Sequence, residues 1–410
     1  MALTRTPEGW LLEQERPYSC YVTTAEPVLS PRTPGGHTAT FPDVFGRGPD
    51  HDPAQRLLVI ADHDAMTLHG HDVEAWLTAH GIAYDIETFV GGEHLKSLRV
   101  VERMADLFDR YHVPRDGLHV AGVGGGSVTD TLGVTTLLYR RGVDRLNVPT
   151  TLVGMIDAAI AAKVAVDHRW WWKNRLGGYH PAGFVVVDPS FLATLPPRRH
   201  SDGLGEILKL AIIADALLFD ILETYGAAVL RERFQGRTPQ TQGAATQIID
   251  RAIDGMLLDL DATYFERPPA DKATYLGHTV SPVVEMAALR RSRRRLRWRR
   301  GPALLHGEVV ILDTLLFCGV ARGRGLIDAS AYDRIVTVTD ALGLPTWDSL
   351  MGDEDLLAAG MADSTRHRGG LQRAPVPNPI GTAAYLNDVT PAELRRALLR
   401  QRNLGGRALG

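Results

Sequence analysis

From Arg56 to Val123 the chain alternates short apolar runs with segments whose apolar residues recur every three or four positions. RLLVIAD (Arg56 to Asp62) has the unbroken apolar character of a buried parallel strand. HDVEAWLTAHG then reads as a helix ending near Gly81, AYDIETF as a second strand, and LKSLRVVERMADLFDRYHV as a second helix. GLHVAGV (Gly117 to Val123) returns to strand, and this alternation predicts a parallel sheet of the α/β class. Upstream, Tyr18 to Asp50 is rich in Pro, Gly and Thr and predicts edge strands and loops. After Pro196 the period lengthens: GLGEILKLAIIADALLFDILETYG, TQIIDRAIDGMLLDL, GEVVILDTLLFCGVARGRG and TPAELRRALL are helical patterns. TLPPRRH breaks both textures, which places a boundary between about Asp188 and His200. Two domains follow, 1–195 and 196–410, with a ligand cleft expected between them.

Composition narrows the class. A chain of 410 residues exceeds what one core usually organises. A formal net charge of -3 predicts no broad attraction to nucleic acid or to membranes. Cys20 and Cys318 are too few for a disulfide framework and suit a reducing compartment. The first residues are too polar for a signal peptide, and no apolar run is long enough to span a bilayer. These features predict a soluble, cytoplasmic protein. RRSRRRLRWRR (Arg290 to Arg300) is open to two readings, a nucleic-acid or phosphate patch and a solvated insertion between helices. The near-neutral total charge favours the insertion.

Candidate chemistry sits at the joints of this pattern. GVGGGSVTD (Gly122 to Asp130) follows a strand and opens a helix, so its glycines let the backbone approach a pyrophosphate that faces free N–H groups. The same loop is also a tight strand-helix connection, and it leaves the third strand rather than the first. Asp62 reads first as a helix cap and second as a ribose ligand. GLGEILK places Glu206 and Lys209 three apart on one helix face. With His278 of YLGHTVSPVVEM and His306 of LLHGEVV, Glu206 makes a donor set of one carboxylate and two imidazoles, suited to a metal with open positions. Each alone also fits a structural role. Asp157, Lys163, Lys173 and Asn174 lie between Pro149 and Pro181 in a mostly apolar stretch, where lysines either snorkel or meet an anion.

Together these segments resemble the sugar-phosphate cyclase family, whose best-known member is dehydroquinate synthase. The resemblance runs in order through GGEHLKS, GGGSVTD, VPTTLVGMIDAAIAAK, KNRLGGYHP, FLATLP, GLGEILK, LGHTVSPVVE and LLHGE. It implies an α/β fold with an N-terminal Rossmann-like parallel-sheet domain binding NAD and a C-terminal all-helical domain binding metal and substrate. It further implies that Glu206, His278 and His306 hold a divalent metal, zinc or cobalt. Asp62, Glu93, Lys96, Gly125, Gly126, Ser127, Asp130, Thr150, Thr151, Thr194 and Leu195 fall at positions associated with NAD+. Asp157, Lys163, Lys173, Asn174 and Lys209 would surround a phosphorylated sugar. The implied chemistry is transient oxidation of an alcohol, loss of phosphate, return of the hydride, and an intramolecular aldol closure, with no net oxidation. A homodimer is likewise implied by the family.

The departures indicate a branch. Dehydroquinate synthases carry a second histidine in a GHTFGH pattern, where this chain has Pro282. GHTFSP-like sequences resemble the 2-epi-5-epi-valiolone synthases, which cyclise sedoheptulose 7-phosphate for C7-cyclitol natural products. STRHRGGLQRAPVPNPIGTAAYLNDV (Ser364 to Val389) resembles that branch too, and implies that Arg366, His367, Arg368 and Gln372 lie near the substrate. Asp202 stands where the family has Asn, Gly205 where it has Ala, and DLDATYFER (Asp259 to Arg267) replaces an EPN-containing motif. The alternatives are a 2-epi-valiolone or dehydroquinate synthase, a metal-dependent polyol dehydrogenase, and a non-catalytic binding protein.

Overall fold

The computed structural model describes residues 2–6, 9–13, 20–24, 28–29, 56–168, 172–262, 271–294 and 304–405. An N-terminal hairpin of β1 (Ala2–Thr6) and β2 (Gly9–Glu13) precedes the edge strand β3 (Tyr21–Thr23). The alternating region then folds as β4 (Leu57–Asp62), α1 (His63–Ala79), β5 (Tyr84–Phe89), α2 (Leu98–Arg110), β6 (Leu118–Gly124), α3 (Gly126–Leu138) and β7 (Asp144–Pro149). Helix α1 starts well before the apolar period suggests, because Asp62 accepts the N–H groups of Asp64 and Ala65 and caps it at His63. A hairpin of β8 (Lys163–His168) and β9 (Trp172–Tyr179) follows, then β10 (Phe184–Val186).

The strands assemble into one parallel sheet in the order β3-β10-β7-β6-β4-β5. From β4 the chain moves outward to β5 and then returns to the other side of β4 as β6. That reversal opens a crevice at the carboxyl ends of β4 and β6, where ligands of open α/β sheets bind. The apolar run of β4 is buried on both faces, as such a sheet requires.

The second half comprises α4 (His200–Ala214), α5 (Ala216–Arg231), α6 (Pro239–Ala262), α7 (Ser281–Arg294), α8 (His306–Gly323), α9 (Ala329–Ala341), α10 (Glu354–His367) and α11 (Pro391–Gly405). It also holds a short hairpin of β11 (Ala374–Pro377) and β12 (Ala383–Leu386), which the helical periodicity does not announce. The continuous pattern from Gly203 to Gly226 divides in two at Asp215, whose extended backbone stops α4 and whose side chain accepts the Leu218 N–H to start α5. Every residue of α8 from Gly307 to Ala321 is buried, so it is the central helix around which the others pack.

One hydrophobic core runs through both halves, joining Leu152, Met155 and Ile156 to Leu204, Ile207 and Leu208. TLPPRRH is tied down as well, since Arg198 makes two bonds, at 2.9 and 2.7 Å, to Glu308 in the first turn of α8. Of the arginine run, Arg290 to Arg294 extend α7, and Arg291 reaches Asp348 at 3.0 Å and Ser349. Residues 295–300, Trp170 and Trp171, and the YFER end of the altered segment lie outside the described residues. Among the described residues, no helix is long and apolar enough to cross a membrane.

Candidate active site and metal centre

The ends of the parallel strands build the first part of the site. Asp62 closes β4, Gly124 closes β6 with Gly125 next to it, and Thr150 and Thr151 follow β7. The Thr150 N–H donates to the Gly124 carbonyl at 3.0 Å, which sets the two strand exits side by side. A methyl group on Gly125 would lie 2.9 Å from the Thr151 methyl, and one on Gly91 would lie 1.9 Å from an Asp62 oxygen. Both positions therefore need glycine to keep the crevice walls this close. Ser127, in the first turn of α3, accepts the Gly92 N–H at 3.2 Å, so the two glycine loops touch. Thr194 lies 2.6 Å from Nε2 of His69 on α1, a histidine that the sequence patterns do not single out, and Leu195 packs against the core. Asp62 is thus a helix cap by geometry, with its second oxygen facing the crevice side.

Lysines join this crevice to the helical half. Lys96 is buried and donates to Asp130 at 2.7 Å and to the Asn174 side-chain oxygen at 2.6 Å. Burial pulls its pKa down, yet Asp130 and Glu93 hold it above the ordinary lysine value. Asn174 takes a left-handed φ of 52°, which asparagine tolerates, and its N–H donates to Asp167 at 2.9 Å. Its neighbour Lys173 reaches across to Glu285 on α7 and stands 3.7 Å from Glu93.

Glu206, His278 and His306 converge, as the family resemblance implies. One ligand-type atom from each lies within 4.8 Å of the others. His306 Nε2 is 3.1 Å and His278 Nε2 3.5 Å from Glu206 Oε1. Burial works against ionisation of Glu206, but Lys209, His278 and His306 hold its carboxyl well below the usual range. Lys209 donates to the other Glu206 oxygen and, at 3.4 Å, to the Thr274 carbonyl. Burial, with Lys209 nearby, lowers His278 to about 3, whereas Glu285 and Glu206, against burial, raise His306 to about 10. One carboxylate oxygen and two imidazole nitrogens fit a divalent metal with open coordination positions. Asp157 faces the same cluster: burial and Glu206 raise its pKa, while Lys209, Lys163 and His306 oppose the rise.

Local packing explains why these three arrive together. Helices α4 and α8 cross backbone to backbone, since a methyl group on Gly205 would lie 2.1 Å from the Gly307 carbonyl oxygen. Glu206 and His306 each adjoin one of these glycines. The Gly307 N–H also donates to Asp202 at 3.3 Å, and Glu308 accepts the Leu305 N–H to fix the start of α8. His278 is held by its loop. Asp313 of α8 accepts the N–H groups of Thr279, Val280 and Ser281, and Arg368 donates to the His278 carbonyl at 3.0 Å.

Several expectations change here. Arg368 and Gln372 turn toward backbone, with Gln372 bonding both the N–H and the carbonyl of Val389. Their polar groups make hydrogen bonds within the fold. Arg366 is 76% exposed and pairs with Asp363 instead of a member of the cluster, and His367 is exposed beside it. Glu285, seven residues after His278 on the next helix, joins the cluster without having been marked by spacing.

The Gly205 crossing yields a test. Gly205→Ala is expected to lower the thermal midpoint, because overpacking costs about 1–3 kcal/mol and outweighs alanine's helix preference of about 1 kcal/mol. It should also weaken metal binding by parting Glu206 from His306. Gly243→Ala on α6, with nothing within 4 Å of the added methyl, should be neutral or stabilising in the same scan.

Comparison with known proteins agrees with this geometry. The 3-dehydroquinate synthase N-terminal model matches residues 86–202, and the 3-dehydroquinate synthase C-terminal model matches residues 203–365. The chain belongs to the dehydroquinate synthase family of sugar-phosphate cyclases. It is 42% identical over 367 residues to a 2-epi-5-epi-valiolone synthase of Actinoplanes sp., covering 90% of this chain and 88% of that protein. It is 35% identical to a demethyl-4-deoxygadusol synthase of Trichormus variabilis, over 85% of this chain and 82% of that one. Its structure matches that of ValA, a 2-epi-5-epi-valiolone synthase of Streptomyces hygroscopicus subsp. jinggangensis solved with NAD+ and Zn2+ bound. That match has a TM-score of 0.82 at 36% identity, over 96% of this chain and 99% of that one. The family replaces the polyol dehydrogenase and non-catalytic readings of the site.

Proposed function

We propose that the protein cyclises sedoheptulose 7-phosphate to 2-epi-5-epi-valiolone with release of phosphate, using NAD+ and a divalent metal, zinc or cobalt. The observation that carries this reading is the similarity to 2-epi-5-epi-valiolone synthases along nearly the whole chain. Pro282, at the place of the dehydroquinate synthases' second histidine, supports the same branch.

In this reading residues 1–195 bind the nucleotide and residues 196–410 contribute the metal centre and much of the substrate site. Glu206, His278 and His306 hold the metal. Asp62, Glu93, Lys96, Gly125, Gly126, Ser127, Asp130, Thr150, Thr151, Thr194 and Leu195 line the NAD+ crevice. When bound, NAD+ supplies reversible hydride transfer and the metal polarises a substrate oxygen. Lys163, Lys173 and Lys209 offer positive charge to phosphate and hydroxyl groups, and Asn174 offers its amide. Asp157, with its carboxyl raised by burial and by Glu206, is suited to hold and release a proton beside the reacting carbons. Arg366, exposed on α10, has the weakest claim to the substrate. The cellular setting in this proposal is a cytoplasmic homodimer in C7-cyclitol, antibiotic-type biosynthesis, with no nucleic-acid or membrane partner.

The test is incubation with sedoheptulose 7-phosphate, NAD+ and zinc or cobalt, following phosphate release and the product by NMR. The expected result is stoichiometric phosphate and 2-epi-5-epi-valiolone with no net NADH. Accumulation of NADH would overturn the cyclase chemistry. Turnover of 3-deoxy-arabino-heptulosonate 7-phosphate in its place, or a different cyclitol, would overturn the branch.

A further inference from the structure

Glu285 lies on α7, the helix that follows the His278 loop, and its side chain is only 8% exposed. Its two oxygens face two different elements. Oε2 is 3.0 Å from His306 Nδ1, on the far side of the imidazole from the nitrogen that meets Glu206. Oε1 accepts from Lys173 of β9, which also stands 3.7 Å from Glu93 in the loop after β5. A continuous chain of contacts therefore runs from the nucleotide crevice through Glu93, Lys173, Glu285 and His306 to Glu206.

A carboxylate that accepts Nδ1–H fixes the rotation and tautomer of an imidazole and leaves Nε2 as the free donor atom. The same carboxylate, buried in the protein, needs a cation beside it, and Lys173 fills that requirement. We propose that Glu285 is a positioning residue with two roles: it presents His306 Nε2 to the metal, and it docks Lys173 between the cofactor crevice and the metal centre. The proposal rests on the metal reading of Glu206, His278 and His306. It adds that the two substrate-facing halves of the site are set by one side chain.

The test uses the full chain and measures zinc affinity by competition with a chelator, together with the visible spectrum of the cobalt-loaded protein. Glu285→Gln keeps the shape but removes the charge, and is expected to weaken zinc binding about 10- to 100-fold and to alter the cobalt bands. Glu285→Asp restores the charge at a shorter reach and is expected to recover part of that affinity, which guards against a simple folding defect. Lys173→Met strands the Glu285 carboxylate but leaves its bond to His306 Nδ1, and should raise KM for sedoheptulose 7-phosphate with a smaller loss of zinc affinity than Glu285→Gln. Wild-type zinc affinity and an unchanged cobalt spectrum in Glu285→Gln would overturn the proposal while leaving the metal site standing. Equal loss of zinc in Lys173→Met would also overturn it. A wild-type chain that takes up neither metal would refute the metal reading itself, and the Glu285 role with it.

Discussion

Glu206→Gln is expected to leave the purified protein without its divalent metal and to lower phosphate release on the order of a thousandfold. The estimate follows from a Lewis-acid contribution of several kcal/mol, at ~1.4 kcal/mol for each tenfold in rate. The residue is fully buried, and its carboxyl is held well below the usual range, chiefly by Lys209. Glutamine fills the same space without the charge, so the donor set loses its only anion among the three converging residues. The change also strands the Lys209 ammonium, which is 2% exposed, and breaking such a buried pair typically costs about 3–5 kcal/mol. Metal analysis, a thermal scan and a phosphate assay on one preparation separate the two effects. Full metal content with a near-normal rate would remove Glu206 from the centre. Chelation of the wild-type protein should reproduce the rate loss, and added zinc or cobalt should reverse it.

Lys209→Met should behave differently, with the metal retained and the rate down about 100- to 1000-fold, the usual size for a charge-stabilising donor in a buried site. Lys209 sits one helical turn beyond Glu206, on the same face of α4, and its remaining contact is the Thr274 carbonyl at 3.4 Å. Methionine keeps its length and most of its apolar stem, so α4 should pack as before. The ammonium is then the main quantity removed. The decisive comparison is metal content against kcat. If metal and activity fall together as in Glu206→Gln, Lys209 serves the ligand and not the substrate.

The contrast between these variants follows how much of the site local sequence can reveal. Glu206 and Lys209 are legible as a pair because helical spacing alone puts residues three apart on one face. The glycine loop is legible because a strand exit followed by a helix start has few chemical uses for three glycines. Asp62 carried two local readings, and the structure supplies the cap without using its second oxygen. Glu285 was not legible: its partners, Lys173 and His306, lie 112 and 21 residues away on different elements. Gly205 and Gly307 registered at most as a departure from a familial alanine, and their meaning is a crossing of two helices roughly one hundred residues apart in sequence. Arg366 and Arg368 mark the opposite limit, since a charged motif does not say whether its guanidinium groups meet solvent, backbone or ligand.

The sequence by itself determined the alternation that makes a parallel sheet, the change to helical texture after Pro196, and the donor types available for chemistry. These are properties of backbone hydrogen bonding and of side-chain period, which act over a few residues. Only the tertiary structure decided that Glu206, His278 and His306 share one space. The same packing turned Arg368 and Asp313 inward to hold the His278 loop, and placed Glu285 between Lys173 and His306. Convergence of this kind depends on how closely α4, α7 and α8 can approach, and that is set by long-range packing with no local signature.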